Sequence, residues 1–455
     1  MRVWKIFYCI LIIFITMPFF ITIPLYGVDD DNEEEKTITD AWKEILLYGI
    51  SDQILEVIKD IRNAKETELN KDLIKVLSES INSDVLNAIL EYFIEIEYPE
   101  ASDVAVRILN DSEENESSII KTLIKYLAVI GSEDLKEILL DFIDAEQDAV
   151  SIAAIEAIGI IKDNTKVNLL LEKLEDAEFP SERKPTIILV LGDLQAKEAV
   201  DKLLKIVADP YSEKIWRMYA SNSLGKIGDK KAIDELKKLF SDKDALIRAY
   251  AASALAEFNL EDVISVLIQG LKDSNWKVRY YCASSLARVG ADKAIDILKF
   301  KVLKDPILNV KKESIRALGE IGDIKCFNFL KEIYENEKQS IDLRYESLKI
   351  LVKNDLSGSI NVFKKMIDKE WEKSGNNIKM LEMTAKELSL ARSPVLKEVF
   401  KKFIKSPGYV IRIYGIRGIA NNNFTDLLGT IEKLSKEDPA LAVRREALTA
   451  IKKMQ

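Results

Sequence analysis

Histidine is absent from all 455 residues. That removes the commonest general base near neutral pH, the usual activator of serine and cysteine nucleophiles, and the most frequent transition-metal ligand. Cysteine is nearly as scarce, at three copies, which leaves too few soft ligands for a metal cluster. A surplus of positive charge is missing as well. The formal net charge is −10 with a pI near 5.1, so the chain lacks the electropositive footprint of a duplex nucleic-acid binder. What the chain does have is 47% apolar residues, which excludes disorder and supplies a sizeable core.

The N-terminus reads separately from the rest. Arg2 and Lys5 precede an apolar run from Ile6 to Tyr26, and the chain turns polar at Asp29, Asp30, Asp31, Asn32, Glu33, Glu34 and Glu35. This order describes a signal peptide over residues 1–28 with Gly27 as the cleavage point, or an uncleaved membrane anchor through residues 6–26. Pro18 and Pro24 argue against a regular spanning helix. Either reading exports the remainder, to the periplasm or the outer face of the cytoplasmic membrane. Residues 29–39 then read as an acidic linker.

Beyond the linker the sequence repeats. Basic residues stand in register at Lys184, Arg217, Arg248, Arg279, Lys311, Arg344, Lys379, Arg412 and Arg444, separated by 31 to 35 residues. Three positions after most of them comes a small residue: Ala220, Ala251, Cys282, Ser314, Ser347, Gly415 or Ala447. Six positions before four of them comes Asp242, Asp273, Asp305 or Asp438. Glycine turns such as LGKIGD (224–229) and LGEIGD (318–323) place glycine at a helix C-cap and Asp229 or Asp323 at the next N-cap. After the turn, KKAIDELKKLF (230–240) sets Ala232, Ile233, Leu236, Leu239 and Phe240 on one helical stripe. Each unit is thus a helical hairpin of about 32 residues. Weaker first helices read near 51–62, 83–96, 116–130, 147–161 and 180–192, giving about a dozen hairpins, divergent over 40–179 and well patterned over 180–455. Full burial of one leucine contributes roughly 1.5–3 kcal/mol, and a lone hairpin buries few, so stability must come from stacking.

The D-x5-R-x2-A-x3-L pattern followed by glycine and a second helix resembles HEAT repeats, most closely the short units also found in phycobilin lyases. The resemblance implies an all-α, right-handed superhelix with second helices lining a concave face and an aspartate-arginine ladder between units. Carried onto this chain, the ladder pairs Asp242 with Arg248, Asp273 with Arg279, Asp305 with Lys311, and Asp438 with Arg444. Lys338 and Ser406 stand where Arg344 and Arg412 would want an aspartate.

Within this pattern most conspicuous residues have a packing role. Cys282 falls in the small-residue column and Cys326 aligns with Ala232 and Ala294, so buried thiols are expected, a disulfide between them being the alternative. Tyr219, Tyr250 and Tyr281 recur at a strict 31-residue spacing and Tyr414 rejoins the column later. Glu313, Glu346 and Glu446 fill it elsewhere, so the column is expected to meet solvent and to offer partner contacts. Lys397, Lys401, Lys402 and Lys405 form a second candidate contact, and the longest unit carries an insertion near 368–377 around Trp371 and Gly375. No catalytic, cofactor-binding or metal constellation is read. The expected function is a non-catalytic exported scaffold for protein partners. A lyase-like enzyme and a HEAT-like nucleic-acid binder are the alternatives.

Overall fold

The computed structural model describes residues 37–111, 116–258, 260–290, 292–372 and 379–454. Among these, every regular element is helical: 26 α-helices joined by short turns, several of them 3-10. The expected signal or anchor, the acidic run 29–35 and Gly375 lie outside the described residues. No described helix is long and apolar enough to cross a membrane.

The contacts divide the chain into residues up to Ile89 and residues Leu90–Gln455. In the first unit Ile38–Tyr48 packs on both Ser51–Ala64 and Asn70–Glu79. Its start is fixed by a capping box, in which Thr37 Oγ1 accepts from Asp40 N and the Asp40 carboxylate accepts from Thr37 N at 2.9 Å.

The second unit is a stack of two layers. First helices, including Asp148–Ile160, Lys184–Asp193, Lys214–Ile227, Ala245–Leu255, Trp276–Arg288 and Leu308–Ile321, each pack on the next in the series. Each second helix packs against the first helix that follows it, as Ile295–Lys304 does against Leu308–Ile321. Second helices touch one another less.

Small side chains explain the close approach of first helices. A Cβ on Gly225 would lie 2.8 Å from Ala254 Cα, and one on Gly192 would lie 2.7 Å from Ser223 Cα. Ser223 and Ser285 donate to the carbonyls of Ile188 (2.7 Å) and Ala252 (2.9 Å) on the preceding first helix. The column of Ala220, Ala251, Cys282, Ser314, Ser347, Gly415 and Ala447 is buried throughout. It faces the preceding second helix: a Cβ on Gly270 would meet Cys282 Sγ, and one on Gly415 would meet the Ile404 backbone. The turns follow the sequence. Gly228 and Gly322 adopt φ of 72° and 74°, where a side chain is strained, and Asp229 and Asp323 cap the next helix.

Cys282 and Cys326 are both free and buried, and burial pushes both thiols above the ordinary range. They form no disulfide.

Candidate functional site

The arginine column is held by the loop between a second helix and the next first helix. In that loop the aspartate Oδ1 accepts from the backbone N–H two residues on: Asp242 from Asp244, Asp273 from Asn275, Asp305 from Ile307 and Asp438 from Ala440, at 2.7–3.1 Å. This turn aims the carboxylate away from its own unit and toward the preceding first helix. There it meets an arginine: Arg217 with Asp242 at 2.8 Å, Arg248 with Asp273, Arg279 with Asp305 and Arg412 with Asp438. The last three are forks, Nε and Nη2 each donating to one carboxylate oxygen at 2.7–2.9 Å.

The pairing expected within a unit is therefore corrected. Arg248, Arg279 and Arg444 reach their own aspartate only through its backbone carbonyl, which accepts from Nη1. Lys311 donates to the Leu303 carbonyl at 3.3 Å and leaves Asp305 to Arg279 and Lys301. The same geometry removes the difficulty at Ser406, since Arg412 needs only carbonyls there, from Ser406 (2.8 Å) and Pro407 (3.0 Å). Arg344 donates instead to the Tyr334 carbonyl at 2.8 Å. Arg183, beside the expected Lys184, pairs with Asp148 at 2.7 Å.

These pairs sit out of water. Side-chain exposure is 8% for Arg279 and 0% for Asp305. Burial alone would raise the Asp305 carboxyl, but the hydrogen bonds from Arg279 and Ile307 outweigh it and hold the group below its ordinary range. Asp273 and Asp438 are lowered in the same way, by Arg248 and Arg412.

Two residues beyond the arginine, the tyrosine column is more buried than its glutamates suggest. Glu313 and Glu346 are 7% and 4% exposed. Arg316 donates to both, at 3.2 and 2.7 Å, and Lys349 pairs with Glu346 at 2.6 Å. A charged residue in a column thus signals solvent only when no partner waits inside. Tyr219, Tyr250 and Tyr414 are half-buried, and Tyr281 is exposed. Tyr414 lies apart from the other three, under the Arg417 guanidinium, which forks onto Glu446.

Tyr250 and Tyr281 line a groove of about 510 Å³ built by four consecutive first helices, from Lys214–Ile227 to Leu308–Ile321. Trp276 and Tyr280 complete its aromatic wall, and Tyr280 meets Tyr281 edge-to-face with centroids 5.6 Å apart. Lys277, Lys312 and Arg316 are the charged residues of its lining. Second helices contribute nothing to this groove, although the resemblance puts them on the concave face. Column spacing identifies Tyr281 but carries no signal for Trp276 or Tyr280, whose places in the neighbouring units hold Ala245 and Leu308, and Ala249 and Lys312.

The lysine zone is largely neutralised. Lys397 pairs with Asp426 at 2.7 Å, Lys401 with Glu398 at 2.8 Å, and Lys402 with Asp368. Lys402 also lies over the ring of Trp371, near the end of the helix Leu356–Glu372. Among the described residues, no three potential ligands gather as a metal site would require.

Comparison with known proteins adds the family. The family model for the Spirochaete HEAT repeat protein matches residues 46–450. No curated protein matches the sequence. Among solved structures, importin beta is similar at 12% identity and a TM-score of 0.49, over 91% of this chain and 67% of that one. Kap95p, solved with RanGDP, is similar at 10% identity and 0.46, over 92% and 66%. Human deoxyhypusine hydroxylase gives 16% and 0.27, over 58% and 98%. The chain spans about two thirds or less of the karyopherin chains it matches. With the family model covering nearly the whole hairpin array, the chain belongs to the Spirochaete HEAT repeat protein family.

Proposed function

We propose that this chain is an exported, non-catalytic scaffold of the bacterial envelope that holds a protein partner on the face built by its first helices. The observation that carries the reading is the groove around Tyr250, Trp276, Tyr280 and Tyr281. It combines rigid aromatic surface with a few cations, the composition from which protein interfaces draw most of their binding energy. A stacked array supports such a site because each unit fixes the next. Export rests on the apolar run Ile6–Tyr26 between two basic residues and an acidic stretch.

Tagged protein is purified from envelope fractions, as wild type and with Tyr219, Tyr250 and Tyr281 changed together to alanine. Partner recovery is expected to fall at least tenfold in the variant, with helical content retained. Unchanged recovery removes the tyrosines from the interface. A reporter fused after residue 50 is expected to work only when it requires export, and activity confined to the cytoplasm overturns the location.

A further inference from the structure

The groove also constrains what it can receive. Its lining is drawn from four successive first helices, which in packed layers stand about 8–10 Å apart, with Tyr250 on one and Trp276, Tyr280 and Tyr281 together on the next. A polyproline II chain advances about 9.3 Å in three residues and returns the same face to the wall each time. Such a segment therefore presents one residue per layer, and it enters already extended, so little ordering entropy is lost. An α-helix rises about 5.4 Å per turn, so it would meet a layer only at every second turn.

Charge narrows the choice further. The chain carries a net charge of −10, yet every charged side chain lining the groove is a cation. Lys312 is tied to Asp342 at 2.8 Å, and Arg316 to Glu346 and Glu313. Lys277, whose ammonium lies 6.0 Å from the Trp276 ring centroid, is the lining cation without an ion pair among the described residues. One free cation beside aromatic rings suits a carboxylate flanked by prolines. It does not suit a nucleic-acid backbone, whose binding depends on neutralising many phosphates.

We propose that this groove seats a polyproline II segment of a partner protein in which one acidic residue, flanked by prolines, meets Lys277. The proposal rests on the scaffold reading, and names the chemistry of the partner. A labelled nine-residue peptide of three Pro-Pro-Glu repeats is titrated into the full chain at low salt, with anisotropy as the readout. Binding is expected, weakened about tenfold or more by Lys277→Glu and about thirtyfold by Trp276→Ala. Lys277 occupies the second position of its helix, where glutamate suits the helix dipole, so the reversal leaves the fold intact. The Lys277→Glu variant is expected to prefer three Pro-Pro-Lys repeats, a reversal that a merely structural lysine would not produce. Absence of binding at millimolar peptide, equal binding of both peptides to wild type, or tighter binding of a single-stranded oligonucleotide overturns the proposal. If the tyrosine variant still loses its envelope partner in that event, the scaffold reading stands and only the peptide chemistry falls.

Discussion

Arg279 uses its guanidinium twice: Nη1 donates to the carbonyls of Asp273 and Ser274, both at 3.0 Å, while Nε and Nη2 fork onto Asp305. One side chain thereby ties its own inter-helix loop to the loop of the next unit. Removing one partner strands the other in a buried site, so Asp305→Ala is expected to lower stability by about 3–5 kcal/mol in urea unfolding. Lys311→Ala, at the position the family pattern assigns to Asp305, is expected to change it by no more than about 0.5 kcal/mol. A double-mutant cycle should show coupling between Asp305 and Arg279 and none between Asp305 and Lys311. Acid provides a second check. Because the folded-state value of Asp305 is depressed, its contribution is complete above the unfolded value, about 3.9, and is lost as pH falls through the lower folded value. The stability gap between wild type and Asp305→Asn is therefore expected to narrow from pH 6 to pH 3. A gap that stays constant would show that the carboxylate charge is not what the fork uses.

At the scale of elements, glycine serves two opposite ends. Gly225 lets the helices Lys214–Ile227 and Ala245–Leu255 meet backbone to backbone, so the clash of a Cβ with Ala254 should outweigh the better helix propensity of alanine. Gly225→Ala is expected to destabilise by about 1–3 kcal/mol. Gly429, in Leu428–Glu437, has open space around it, and Gly429→Ala should stabilise by about 0.4–1 kcal/mol. Thermal melts of the pair should move in opposite directions. Helix positions were legible because each carries its own local pattern: the reading 147–161 corresponds to Asp148–Ile160, and Gly322 and Asp323 mark their turn as expected. What connects two units was not legible. A spacing of six residues between Asp273 and Arg279 describes one unit equally well whether carboxylate or carbonyl meets the guanidinium. Only the turn closed by Asn275 N–H decides that the carboxylate faces Arg248. The groove was half legible for the same reason, Tyr281 through its column and Trp276 only through the neighbours it meets.

Across residues 90–455 the units are joined chiefly to their immediate neighbours, and the forks are spaced unevenly. Arg217 meets Asp242 through one contact, the forks bridge successive units from Arg248 to Asp305 and recur at Arg412 with Asp438, whereas Lys311 and Arg344 spend their donors on the carbonyls of Leu303 and Tyr334. An array of this kind has no single closing contact whose loss must open everything, and its local stabilities follow its interfaces. Asp305→Ala tests this in hydrogen exchange. Amides of Trp276–Arg288 and Leu308–Ile321, which flank the severed fork, are expected to exchange faster by up to about two to four orders of magnitude, following the about 3–5 kcal/mol lost. Those of Tyr409–Asn421 and Leu441–Met454, held by their own fork through Asp438, are expected to keep their protection. A uniform loss across both regions would mean that the array opens as one cooperative body, and the groove would then share the stability of every unit rather than of the four that line it.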